Sequence, residues 1–114
     1  MAKTIAISVS RTNGLDSPLD PRFGRAGGYI VVEQDTRTVV AELENRFAGF
    51  AHGAGTGAAG LMDQQNVDII ISGRFGPKAE QALAFFGVEM WTAPEGITVG
   101  EALDRLAAGE LERW

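Results

Sequence analysis

The sequence predicts a single α/β domain over residues 1–114, a mixed β-sheet flanked by helices in the order β-ββ-α-β-α-β-α. Three observations predict it. Apolar residues recur with a period of two early in the chain, recur at helical spacing later, and form at residues 67–72 a β-branched run typical of buried parallel strands.

Residues 4–10 alternate Ile5, Ile7 and Val9 with small residues and read as a buried opening strand. The β-rich runs 29–33 and 38–43, separated by Asp35, Thr36 and Arg37, read as a hairpin. Residues 54–65 are Ala-rich with Leu61 and Met62 and predict a helix, which Gly57 and Gly60 each weaken by about 1 kcal/mol relative to Ala. After the strand 67–72, Pro77 suits a first helical turn. Ala79, Ala82, Leu83 and Phe86 follow at helical spacing, and Gly87 stops the helix. Residues 88–92 form a short strand. Thr98, Val99, Gly100 and Glu101 fit a capping box opening a last helix, with Val99, Ala102, Leu103 and Leu106 on its apolar face and an end near Gly109. Met62, Phe86, Met90 and Trp91 are assigned to the core.

The two strand-helix-strand steps imply parallel neighbours with right-handed crossovers, and the hairpin adds antiparallel pairing. Strand polarity then brings loops 11–28, 45–54, 73–77 and 93–97 to one edge, where open α/β sheets take their ligands. Loop 11–28 exceeds what connection alone needs, which favours binding or disorder over plain linkage.

A chain of 114 residues buries roughly two-thirds of its unfolded surface, enough for one core without staples. It has no cysteine, which excludes disulfides, thiol nucleophiles and cysteine-ligated zinc or iron-sulfur sites. Its one histidine excludes multi-histidine metal sites within the chain. A net charge of -5 argues against a nucleic-acid partner. No stretch has the apolar length of a membrane span, and residues 1–10 lack the basic start and cleavage site of a signal peptide. The expectation is a cytoplasmic protein without membrane contact.

Arg11, Arg22, Arg25, Arg74 and Lys78, half of the ten basic residues, fall on or beside the loops of the ligand edge. Helix N-termini near Ala54 and Pro77 add partial positive charge and unpaired N–H groups there. As a group they describe an anion pocket. Any one arginine could instead be solvated or pair with Asp16 or Asp20, which flank Pro18 in what reads as a turn rather than an acid-base or magnesium pair.

Residues 55–60 match G-x-G-x-x-G literally, but a hairpin arm precedes them and no acid ends the next strand, so a dinucleotide site is not supported. The glycines read better as letting helix and strand backbones approach, with an inorganic ligand against bare N–H groups as a further option. His52 lies at the same edge. A lone histidine is more often a surface or hydrogen-bonding residue, while its neighbours make this one a candidate metal ligand. Ser10 or Ser72 with His52 and Asp20 spells a triad on paper, but neither serine has a nucleophile-elbow sequence.

The strand Ile5 to Ser10, the segment Leu19-Asp20-Pro21-Arg22-Phe23-Gly24-Arg25-Ala26, the segment Ala51-His52-Gly53-Ala54-Gly55, and the run from Val67 through Ser72-Gly73-Arg74-Phe75-Gly76-Pro77 resemble the dinitrogenase iron-molybdenum cofactor biosynthesis family. That family takes in NifX-like carriers, the NifB C-terminal domain and the small molybdenum-copper orange proteins. The resemblance covers essentially the whole chain and implies a ribonuclease H-like fold. It also implies a non-enzymatic role, binding or carrying a preformed metal-sulfur cluster, with protein partners in cofactor assembly. Carried over by motif, the implied binding residues are Arg22, Phe23, Gly24 and Arg25, then His52, Gly53 and Gly55, then Gly73, Arg74, Gly76 and Pro77. Arg11 joins them on charge. Many relatives have histidine where this chain has Arg22, which removes an imidazole from that position.

Charge and motif together point to a noncovalent site for an anionic cluster of molybdenum-copper or iron-molybdenum type, whose sulfides accept hydrogen bonds from arginines and backbone N–H groups. Competing expectations are an enzyme or sensor for a phosphorylated small molecule at the same edge, and a protein-interaction module built on loop 11–28.

Overall fold

The computed structural model describes residues 3–114; Met1 and Ala2, the start of the opening run, lie outside the described residues. Within these, six strands form one mixed sheet: β1 (Thr4–Val9), β2 (Gly28–Glu33), β3 (Val39–Glu44), β4 (Ile69–Ser72), β5 (Glu89–Thr92) and β6 (Glu112–Arg113). Their order across the sheet is β3-β2-β1-β4-β5-β6. Three helices flank it: α1 (Ala54–Gln64), α2 (Pro77–Phe85) and α3 (Val99–Ala107). β1 is antiparallel to β2 and parallel to β4, β2 is antiparallel to β3, and β4 is parallel to β5, as the hairpin and crossovers require. Among the described residues, no helix is long and apolar enough to cross a membrane.

Period-two alternation divides the core between the two faces of the sheet. Ile5, Ile7, Val9, Ile30, Val32, Ile69 and Ile71 pack with Val99, Ala102 and Leu103 of α3. Ala6, Tyr29, Val31 and Ile70 pack with Ala58, Ala59 and Met62 of α1 and with Ala79 and Leu83 of α2. The small residues that β1 sets between its large ones therefore face the side holding two helices, where space is shortest. Strands covered on both faces have no polar side to present, which explains the unbroken Ile69-Ile70-Ile71.

The termini of the helices follow the sequence. Thr98 Oγ1 accepts from the Glu101 backbone N–H at 3.2 Å while a Glu101 carboxylate oxygen accepts from Thr98 N–H at 3.1 Å, completing the capping box. Gly87, with φ of 75°, turns the chain after α2 as only glycine does without strain. Phe86 is a correction: it is 37% exposed beside Phe85 at 85%, because α2 ends at Phe85 and the buried stripe stops at Leu83. Met62 is buried, and Met90 and Trp91 are half-buried. β6 was not expected. Two charged residues carry no hydrophobic period, and the strand is held by pairing with β5, by Arg113 against Glu89 at 3.5 Å and by Arg113 over the Trp91 ring.

Loop 11–28 is ordered. After a 3-10 turn at Gly14–Asp16, Ser10 N–H donates to the Pro18 carbonyl at 3.0 Å and Asp20 N–H to that of Ser8 at 2.8 Å, which folds the segment back along β1. Leu19 N–H donates to Ile97 and Val99 N–H to Ser17, so the 93–97 loop is tied to the middle of loop 11–28.

Candidate functional site

Beyond Asp20 the chain crosses the carboxyl end of β4. Arg22 pairs with Arg74 in a parallel bridge, and the N–H groups of Gly73 and Arg74 both donate to the Pro21 carbonyl, at 3.2 and 2.8 Å. Gly73 is required by this crossing, because a Cβ there would sit 2.6 Å from Pro21 Cβ. On the other side Gly24 lies against the start of α1, where a Cβ would come within 2.9 Å of Gly55 Cα. Gly55 in turn abuts Ala79 of α2, and Gly57 lies under the Phe47 ring. Gly55 and Gly57 of the 55–60 segment thus serve helix-helix and helix-loop contact, whereas a Cβ at Gly60 would meet nothing within 4 Å. The expected helix-strand approach is not what they make.

These contacts bring three segments, residues 22–25, 51–55 and 74–79, around a cavity of about 640 Å³, a volume within the usual range for small-ligand sites. Four cations line it, Arg22, Arg25, Arg74 and Lys78, and no carboxylate does so among the described residues of a chain with 15 acids. The N-termini of α1 and α2 open on the same space. Neither has a side-chain cap, since Gly53 and Gly76 occupy the N-cap positions. The first-turn N–H groups of both helices therefore lack intrahelical partners, and α2 begins with Pro77, which has no N–H to satisfy. The contrast is α3, which does not line the cavity and is capped by the side chains of its own Thr98 and Glu101.

Beneath the lining is a buried polar base. Asp20, 2% exposed, accepts from Arg22 N–H at 2.9 Å, from Arg22 Nε at 3.2 Å and from Nη2 at 3.1 Å. The turn reading of Asp20 holds locally, as an Asx-type bond to the residue two ahead. The pairing with Asp20 that the sequence leaves open for an edge arginine is made by Arg22, and its hydrogen bond and charge raise the Arg22 pKa. Ser8 Oγ donates its one proton to the Asp20 carbonyl at 2.6 Å and lies 2.7 Å from Ser72 Oγ, which also reaches the Pro21 carbonyl at 3.3 Å, so both serines are committed to scaffolding and neither bonds His52. The Tyr29 hydroxyl donates to the Phe23 carbonyl at 2.5 Å; burial, with a smaller contribution from the Asp20 charge, pushes this phenol above its ordinary range.

Of the residues expected at the site, Arg22, Phe23, Gly24, Arg25, His52, Gly53, Gly55, Arg74 and Gly76 line the cavity. Arg11 and Gly73 do not. Arg11 is exposed at the start of a segment drawn towards β3, where Gly14 N–H bonds Glu42, and Gly73 is occupied by Pro21. The 93–97 loop leaves β5 beside Ser72 at this edge, as polarity requires, but packs on residues 17–19 and does not line the cavity. Phe23 turns its ring inward against Tyr29 and Phe75, leaving its backbone to the wall. His52 is exposed at the rim, and among the described residues no three His, Asp or Glu side chains converge on a point that could hold a bare metal ion.

The chain belongs to the dinitrogenase iron-molybdenum cofactor family, whose model matches residues 3–109. It is similar to the apo form of the orange protein from Desulfovibrio gigas, with 34% identity and a TM-score of 0.92 over 100% of this chain and 94% of that one. It is also similar to a proposed NifB protein from Thermotoga, with 30% identity and a TM-score of 0.84 over 99% and 93% of the two chains. An uncharacterized protein of Methanocaldococcus jannaschii is 29% identical over 98 residues, 84% of this chain and 82% of its own. The family match and the two structures bear out the resemblance carried by the loop motifs and the mixed α/β fold.

Proposed function

We propose that this protein carries a preformed anionic metal-sulfur cluster, of molybdenum-copper or iron-molybdenum type, as noncovalent cargo in the cavity between residues 22–25, 51–55 and 74–79. Membership of the family supports the coarser part of this reading, a cofactor-binding or carrier role related to the iron-molybdenum cofactor. Likeness to the orange protein supports it further. The observation that carries the finer part is the sorting of charge. An acidic chain lines this one cavity with four cations and two uncapped helix N-termini.

Terminal and bridging sulfides are hydrogen-bond acceptors with negative charge. Guanidinium and backbone N–H donors suit them, and charge-assisted bonds are roughly twice as strong as neutral ones. Asp20 occupies Nε and Nη2 of Arg22 and leaves Nη1 for the cargo. The helix N-termini supply donors fixed by the fold, and His52 supplies one imidazole at the rim. With no cysteine to displace its sulfides, the cluster enters and leaves with its own ligand set, as transfer between assembly proteins requires. The role is binding rather than catalysis, and the site's partners are the cluster and the proteins that give and receive it.

The test is uptake by apo protein. Tetrathiomolybdate with a copper salt, or an extracted iron-sulfur cofactor, should give charge-transfer absorption that co-elutes on gel filtration. Protein from its native host should carry the corresponding metals. Failure of both cargoes, with low-micromolar binding of a sugar phosphate or nucleotide, would assign the cavity to a phosphorylated small molecule.

A further inference from the structure

Arg25 lines the cavity, but its hydrogen bonds run away from it. Nη1 donates to the Ala48 carbonyl at 2.8 Å and to the Phe50 carbonyl at 2.5 Å, which uses both hydrogens of that nitrogen. The backbone on either side of Arg25 is stapled reciprocally: Asn45 Nδ2 donates to the carbonyls of Gly24 and Ala26, each at 3.0 Å. Asn45 Oδ1 then accepts from Phe47 N–H at 3.1 Å. The loop after β3 is thus anchored at its start by Asn45. Its far end is fixed at Gly53, whose carbonyl accepts from Gly57 N–H at 2.9 Å and Thr56 Oγ1 at 3.1 Å. Between Phe50 and Gly53, no hydrogen bond holds Ala51 or His52 among the described residues. The last tether before the histidine is Arg25.

We infer that Arg25 is a positioning residue, whose guanidinium holds loop 46–53 so that Ala51, His52 and Gly53 form the cavity wall, and that this hold on the loop, rather than its charge, is its main contribution to binding. The inference rests on the carrier reading for its effect on binding and on the loop geometry alone for its effect on His52. It separates Arg25 from Arg74 and Lys78, which form no ion pair among the described residues and face the same cavity. It also ties the chain's one histidine to a residue 27 positions earlier, at the opposite wall of the loop. Both bonds leave one nitrogen whose two hydrogens lie fixed in the guanidinium plane, a geometry that charge alone, on the freely rotating ammonium of a lysine, does not set.

The test compares Arg25→Lys and Arg25→Gln with wild type in two readouts. The first uses apo protein: the single imidazole NMR signal, and exchange of the Ala48 and Phe50 amides, both hydrogen-bonded in the loop. Both variants should shift the imidazole signal and speed exchange at least about ten-fold. The second is affinity for tetrathiomolybdate plus copper(I), which Lys and Gln should lower to a similar extent. Adding His52→Ala to Arg25→Gln should then lower it by less than the product of the two single effects. An unchanged apo loop, together with wild-type affinity in Arg25→Lys and loss in Arg25→Gln, would overturn the inference and make Arg25 a direct charge ligand. Released loops in both variants of a protein whose wild type takes up no cluster would uphold the positioning role while overturning the carrier reading.

Discussion

The buried carboxylate of Asp20 grips Arg22 through both of its oxygens, with Nε at 3.2 Å and Nη2 at 3.1 Å, and so fixes the direction in which the half-exposed guanidinium faces the cavity. The same carboxylate takes the Arg22 backbone N–H, so the side chain and the loop that presents it are set by one residue. Arg22 therefore brings less free charge to the cavity than Arg74 does, and more orientation.

Asp20→Asn should keep the backbone bond and lose the ion pair. The expected outcome is a lower melting temperature and cluster affinity reduced roughly ten-fold, since a misdirected guanidinium forfeits its charge-assisted bond. Calorimetry and a spectral titration of the variant measure the two effects.

Arg74→Gln should loosen the cluster by roughly ten-fold or more at low salt, and Arg74→Lys should recover part of it by restoring charge without the planar fork. Titrations at low and moderate salt check this. Wild-type affinity in both variants would make Arg74 a solvated surface residue.

The glycines separate into two kinds that denaturant unfolding distinguishes. A Cβ at Gly60 of α1 would meet nothing within 4 Å, so Gly60→Ala should stabilise by about 0.5–1 kcal/mol through helix propensity. Gly57→Ala would drive Cβ to within 2.5 Å of the Phe47 ring and Gly73→Ala to within 2.6 Å of Pro21, and each should destabilise by about 1–3 kcal/mol. Gly57→Ala should also disturb the loop that carries His52.

Tyr29 gives a pH signature. Its folded pKa is raised, so the neutral phenol contributes stability that is fully present below the ordinary tyrosine value near 10 and is lost as pH rises from there towards the folded value, because the unfolded chain ionises first. Tyr29→Phe should cost about 1–2 kcal/mol at neutral pH, from the lost bond to the Phe23 carbonyl, and should flatten the decline above pH 10. As the chain has one tyrosine, tyrosinate absorbance reports this group alone.

Much of the fold was legible because its signals are local. The alternation at Ile5, Ile7 and Val9, the capping box at Thr98 and Glu101, and the stop at Gly87 each act within a few residues. β6 was not legible, since Glu112 and Arg113 become a strand only by pairing with Thr92 and Trp91. At the site, polarity and charge located the convergent loops and four of the lining cations. Arg11, also expected there, does not line the cavity, because periodicity does not say where a long loop folds back, which Ser10, Pro18 and Glu42 decide. Asp20 read as a turn residue because Asp-Pro-Arg spells one. Its backbone carbonyl is held at the end of β1 and β4 by Ser8 and Ser72, which local sequence does not bring beside it.

Binding of a metal-sulfur anion in the cation-lined cavity is open to a direct check by amide chemical-shift mapping of apo protein titrated with tetrathiomolybdate and copper(I). Saturable shifts should centre on residues 22–25, 51–55 and 74–79, the first-turn amides of α1 and α2 foremost, and should grow in step with a charge-transfer band. Absence of shifts at these residues while the band develops, or no band at all while a sugar phosphate saturates the same amides, would refute cluster binding at this cavity.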